Sequence, residues 1–132
     1  MHMKKTILCL LLVACLLPAA VAKSQKGRQI QPCESASSQA EASACAHREY
    51  VAADAELNRV YNRLAAKLEA DEKASLKDAE VAWLKYRDAN CEFESSFYKG
   101  GTMRPMIESF CLTRMTKART AELKQQIEVY EQ

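Results

Sequence analysis

The chain has little that breaks a helix. Three glycines and three prolines are spread over 132 residues, and none of either lies between Ser35 and Lys99. β-Branched residues are sparse as well, which excludes sandwiches and barrels built from many short strands and glycine- or proline-rich turns. Only two histidines are present, and one of them is His2, so no histidine cluster exists for a metal and no histidine relay for acid–base work. The sequence has no G-x-S-x-G, no P-loop and no C-x-x-C-H for haem. Carboxylates are plentiful, but they alternate with Lys and Arg at helical spacing, as in Glu69 with Lys73 and Asp78 with Lys85 a heptad on. A solvated helix face explains them, and no catalytic site or cofactor is expected.

What is present begins at the N-terminus. Lys4 and Lys5 precede an apolar run from Ile7 to Ala22, and Ala20-Val21-Ala22 forms an A-x-A cleavage site. This is the pattern of a secretory signal peptide over residues 1–22. Leu12-Val13-Ala14-Cys15 also fits a lipobox, which would acylate Cys15 and anchor the same domain at a membrane surface. The apolar run passes straight through Cys15, and this favours cleavage after Ala22 and a periplasmic or secreted product. Lys4 and Lys5 leave with the signal, so the formal charge of +2 falls to zero. A nucleic-acid partner, which needs a basic excess, is not expected. Residues 23–32 are polar and without apolar period, as in a flexible leader, and residues 33–132 form the folded domain.

Removing the signal leaves Cys33, Cys45, Cys91 and Cys111. Four cysteines in a short exported chain read as two disulfides. A zinc site made of four thiolates would show close C-x2-4-C pairs, and this chain has none. Ser38 and Glu41 fit a capping box opening a first helix. Tyr50, Ala53, Leu57, Tyr61, Leu64 and Leu68 then recur at helical spacing. Leu76, Ala79, Trp83, Tyr86, Asn90, Phe93 and Phe97 supply a second stripe. A weaker third one runs through Leu112, Met115 or Thr116, Arg119, Leu123, Ile127 and Tyr130. An unbroken helix from residue 38 to 97 would be about 90 Å long, too long for a monomer to bury its stripe. The reading therefore places a turn near Ala70–Lys73 with Asp71 as cap. A second break falls at Gly100-Gly101, where Thr102 is the expected cap of the third helix and Pro105 fits its first turn. The fold class is all-α, an antiparallel three-helix bundle stapled by two disulfides.

In such a bundle Cys91 and Cys111 fall level, ten residues either side of Gly101, and Cys33 and Cys45 tie the leader to the first helix. The exchanged pairing also fits, because all four cysteines lie near one end. His47 follows Cys45-Ala46, but successive helical residues point about 100° apart, so the pair faces away from each other. Asp54, Asn58, Arg87, Asp88 and Arg119 lie close to the apolar stripes, and Trp83 falls on one. A charge there is tolerated only when paired. These residues are expected to form a fold-fixing network, with Arg87 or Arg119 against Asp54, and a ligand site is the alternative.

Three segments are more specific: A-D-A-E-L-N-R-V-Y from Ala53 to Tyr61, A-W-L-K-Y-R-D-A-N-C from Ala82 to Cys91, and T-K-A-R-T-A-E-L from Thr116 to Leu123. With G-G-T at Gly100–Thr102 and the four cysteines, they resemble the LprI-like lysozyme-inhibitor domain, a bacterial exported family. The resemblance covers about Cys33 to Leu123. It implies a small helical periplasmic or cell-surface binding module whose partner is a lysozyme-type muramidase. The alternative is an envelope accessory domain that binds another exported protein. Lysozymes cleave with a pair of carboxylates in a cleft. An inhibitor that covers the cleft would offer them donors, and the candidate is the loop Tyr98, Lys99, Gly100, Gly101, Thr102 and Arg104. The competing reading is that the glycines only turn the chain.

Overall fold

A computed structural model of the protein describes residues 33–132. The expected signal peptide, the Cys15 lipobox and the leader lie outside the described residues. After a single 3-10 turn at Cys33–Ser35 come three helices of 27 residues each, α1 (Gln39–Ala65), α2 (Ala70–Ser96) and α3 (Arg104–Tyr130). Each is about 40 Å long. The contacts of α2 with α3 pair early residues of one with late residues of the other, as in Arg104–Glu92 and Arg119–Glu80. The two helices are antiparallel, while α1 and α3 run the same way, with Glu56 beside Lys124 and Lys67 beside Glu131. No described helix is long and apolar enough to cross a membrane.

The helix ends explain where the chain turns. Ser38 caps α1 by accepting from the Glu41 N–H at 3.2 Å. The Glu41 carboxylate reaches one residue further back than a capping box requires and accepts from the backbone and hydroxyl of Ser37 at 2.8 and 2.7 Å. The break between α1 and α2 falls at residues 66–69, ahead of the expected position. Its cap is Glu69, not Asp71: the Glu72 carboxylate accepts from the Glu69 N–H at 2.9 Å, closing a capping box without serine or threonine. Asp71 sits in the first turn, where a negative charge faces the positive end of the helix dipole. At α3 the cap position is Met103 and no side chain bonds it, so Thr102 does not cap.

α3 holds the bundle together. It packs on α1 along most of its length and on α2 as well, whereas α1 and α2 stand apart. The reason is in the residues between α1 and α3. Ala46 and Ala53 on α1 are buried, and so are Ser109, Thr113, Thr116 and Thr120 on α3. Small side chains let the backbones approach. The hydroxyls of Thr113 and Thr120 are satisfied within their own helix, donating to the carbonyls of Ser109 and Thr116 at 2.8 Å each. Toward the α1–α2 turn the packing becomes apolar: Leu57, Val60, Leu64, Leu76, Leu123 and Ile127 form the core, with Tyr61, Leu68 and Trp83 against it.

The other end carries the staples. Disulfides join Cys33 to Cys45 and Cys91 to Cys111, each with Cα atoms 5.5 Å apart. The pairing that spacing suggested is the one formed, and the exchanged one is not. With both pairs oxidised, none of the four cysteines is left as a thiolate for zinc.

The second stripe is placed differently from its reading. The face of α2 turned inward is Leu76, Glu80, Arg87, Cys91 and Ser95. Tyr86, Phe93 and Phe97 are 61%, 62% and 74% exposed, and Ala79 is exposed too. Only Leu76 of that stripe is fully buried, with Trp83 and Asn90 half-buried at its edge. The strongest apolar row of α2 faces solvent because the disulfide turns Cys91 toward α3. Positions in phase with Cys91 are then drawn inward whatever their polarity.

Candidate functional site

Two regions gather the residues singled out from the sequence. The first is a groove of about 430 Å³ between α1 and α2, where the two helices stand apart. Tyr50, Asp54, Leu57, Asn58 and Tyr61 line it from α1, and Lys77, Glu80, Val81, Leu84 and Arg87 from α2. Arg87 is its centre and is 5% exposed. Its guanidinium donates to Asp88 at 2.9 Å, to Asp54 at 3.3 Å and to the Thr116 hydroxyl at 3.3 Å, so one side chain ties all three helices. It also lies 5.5 Å from the Tyr50 ring centre and 5.3 Å from that of Trp83. Asn58 extends the set from the α1 side by donating to Asp54 at 3.1 Å.

Arg119 does not meet Asp54. It bonds Glu80 and Glu122 at 3.0 Å each, and its guanidinium carbon stands 6.0 Å from the Trp83 ring. Trp83 is thus flanked by two arginines, each neutralised by carboxylates. Burial pulls the Arg87 guanidinium down, but the bond to Asp88 and the charges around it outweigh that, and the net direction is up. Burial raises the Tyr50 phenol above its usual 10.0. One oxygen of Glu80 is buried with no hydrogen-bond partner. This constellation binds its own members, and the charges of its two arginines are spent in pairs within and between helices.

The second region is the tip of the α2–α3 hairpin. Gly100 has φ of +78°, the left-handed region that a side chain resists. A Cβ at Gly101 would come within 3.2 Å of the Tyr98 carbonyl oxygen. Gly100 is therefore required by the turn itself, and a side chain at Gly101 would press on the Tyr98 carbonyl. The Cys91–Cys111 bond clamps the hairpin below the tip, and Arg104 crosses it to pair with Glu92 at 2.5 Å. Tyr98 is 41% exposed. Lys99 and Thr102 are exposed, and Lys99 has no ion pair among the described residues.

Among the described residues the single histidine, His47, is exposed on α1, 6.2 Å from the Tyr50 ring. The molecule so defined is an all-helical, disulfide-stapled domain whose buried arginines are paired with carboxylates and whose α2–α3 turn is clamped by a disulfide.

The comparisons with known proteins say which family this is. The profile described as Lysozyme inhibitor LprI matches residues 31–123, and the chain belongs to that family. It is also 39% identical over 132 aligned positions to the protein titled Uncharacterized protein R02472 of Rhizobium meliloti (strain 1021), covering 89% of this chain and 91% of that relative. No solved structure matches. The matched span begins two residues before Cys33 and ends at Leu123, so it takes in both disulfides, the Arg87 network and the hairpin tip.

Spacing pointed to Arg87, Asp54, Asp88 and Trp83, and the structure places the other three around Arg87. Glu80 was not singled out, and Tyr50 was read only as part of the first apolar stripe. Glu80 lies seven residues before Arg87, on the same face of α2, and that spacing was the available signal.

Proposed function

We propose that this protein is an exported inhibitor of lysozyme-type muramidases that covers the catalytic cleft with the α2–α3 hairpin tip. The family membership supports the enzyme class. The tip is supported by one observation: it is a disulfide-clamped turn that presents an exposed tyrosine and an unpaired lysine. A muramidase cleft holds two carboxylates, and a protruding cation with an aromatic neighbour complements it in charge and shape. The clamp limits the conformational entropy lost when the loop is seated. The side chain of Arg104 is 32% exposed and already paired with Glu92, so its share is smaller than that of Lys99.

The test is an inhibition assay with purified protein against representatives of each lysozyme class. The double change Tyr98→Ala, Lys99→Ala should leave the melting temperature intact and weaken inhibition at least tenfold, about 1.4 kcal/mol. Arg104→Ala should cost less. Unchanged inhibition by the double variant would remove the tip from the interface and leave the groove face as the remaining candidate. Failure of the wild type against every lysozyme class would remove the reading itself and favour an envelope accessory role.

A further inference from the structure

We propose that the groove between α1 and α2 is a binding site of its own, separate from the hairpin tip, for a neutral oligosaccharide that carries acetamido groups. Its walls are two antiparallel helices that α3 holds apart. Along α1 the lining runs from Tyr50 to Tyr61, about 16 Å, and along α2 from Lys77 to Arg87. Its volume of about 430 Å³ falls in the range of small-molecule sites, and its length suits a short chain of sugar rings better than a single one.

The polar groups left over after the internal pairs point to the class of ligand. Arg87 and Asp54 are committed to each other. The Asn58 amide nitrogen is spent on the Asp54 carbonyl and carboxylate at 2.9 and 3.1 Å, which leaves its amide oxygen as an acceptor. Glu80 accepts from Arg119 through Oε2 at 3.0 Å, while Oε1 is buried without a partner. A buried acceptor without a donor is costly. Glu80 lines the groove, so a small turn of its carboxylate brings that oxygen to an N–H or O–H seated there. Donors are on offer as well: among the described residues neither the Lys77 ammonium nor the Tyr61 hydroxyl has a hydrogen bond or an ion pair. The charged lining is balanced, Asp54 and Glu80 against Lys77 and Arg87, which favours neither an anion nor a cation.

Apolar surface comes from the rings of Tyr50 and Tyr61 and from Leu57, Leu84 and the 43% exposed Val81. A pyranose matches this mixture. Its C–H face packs on aromatic or aliphatic side chains, and its rim of hydroxyls both donates and accepts. Lys77, Glu80 and Val81 share one face of α2 at i, i+3 and i+4. An acetamido group offers each of them a partner: its carbonyl to Lys77, its N–H to Glu80 and its methyl to Val81. An extended peptide is a poorer fit, because both walls are helices whose backbone groups are already bonded, and no strand can be added to them. A partner helix would need an apolar trough, and Leu57, Val81 and Leu84 are the only aliphatic side chains in the lining.

Titration of the purified, isotope-labelled protein with chitotriose, followed by amide NMR, tests this. Resonances of α1 and α2 along the groove should shift and saturate at millimolar concentration or below, while those of residues 99–102 stay in place. The melting temperature should rise with added chitotriose, as for any ligand of the folded state. Asn58 and Lys77 are exposed in the free protein. The double change Asn58→Ala, Lys77→Ala should therefore keep the unliganded melting temperature and weaken binding at least tenfold. Val81→Trp should fill the groove and abolish binding. Maltotriose, which lacks acetamido groups, should bind at least tenfold more weakly than chitotriose. The proposal is overturned by an absence of shifts at millimolar chitotriose, by shifts confined to another face, by unchanged affinity in the double variant, or by equal binding of maltotriose. No muramidase enters the titration, so its outcome is independent of the hairpin tip.

Discussion

Arg87 links three helices through one side chain, with Asp54 on α1, Asp88 on its own helix and Thr116 on α3 as partners. Breaking a buried ion pair by removing one partner commonly costs about 3–5 kcal/mol. Here the side chains of Asp54 and Asp88 are 36% and 62% exposed, so both can rehydrate once the arginine is gone. Arg87→Ala should therefore cost about 2 kcal/mol, below the fully buried case, read as a lower urea midpoint. Arg87→Lys should recover little, since an ammonium cannot serve Asp88, Asp54 and Thr116 with a planar fork. Trp83 is a related case. It lies half-buried on the core and between two guanidinium groups. Trp83→Ala should cost about 3 kcal/mol, the lower end for a large aromatic, because part of the ring is already in water. An unchanged melting temperature would show that the stacking contributes no stability.

Single helices are held at their ends by different means, and this sets how each responds to change. The α2–α3 hairpin is clamped by Cys91–Cys111 across a separation of 20 residues. Loops of this length are stabilised by about 3 kcal/mol in the chain-entropy description. Cys91→Ser, Cys111→Ser should lower stability by about that amount while the helical circular dichroism at low temperature is kept, since α3 remains fixed to α1 by its threonine face. The same disulfide accounts for the misplaced α2 stripe. Periodicity identified a helix correctly, and it also identified an apolar row correctly. It could not tell which row faces inward, because the crosslink and the buried arginine set the rotation of α2. The third stripe was weak for the opposite reason. The inward face of α3 is largely serine and threonine, whose burial depends on close backbone approach and not on hydropathy.

At the scale of the molecule the two halves divide the work. Apolar side chains hold the end near the α1–α2 turn, and disulfides hold the other. Surface ion pairs link the helices between them. Lys124 and then Arg59 hold Glu56 below the ordinary 4.5, Asn90 and then Arg114 do so for Glu94, and Lys67 does so for Glu131. Carboxylates depressed in the folded state add stability that is present above their unfolded values. It is lost as pH falls through the folded ones. Thermal stability should therefore be level from neutral pH down to about 5 and fall below the ordinary value of 4.5. The loss should be small and shrink in high salt, because these pairs are exposed. At the alkaline end the sign reverses. Tyr50 is raised by burial, so its contribution is complete below 10.0 and disappears as pH rises through its folded value. A melting temperature that rises on acidification below 4.5 would contradict the assignment for Glu56.

Local chemistry in the sequence determined a good deal: helix-only composition, the four-cysteine framework, the Ser38 cap, the glycine turn and the presence of paired charges beside the apolar stripes. Each follows from neighbours a few residues apart, where propensity, periodicity and spacing act. Only the tertiary structure decided that Arg119 takes Glu80 and leaves Asp54 to Arg87, and that Phe93 and Phe97 face solvent. Those outcomes depend on the rotation of whole helices about their axes. That rotation is set by contacts between residues dozens apart: the Cys91–Cys111 bond, the small-residue seam of α1 with α3, and the arginine that ties all three helices.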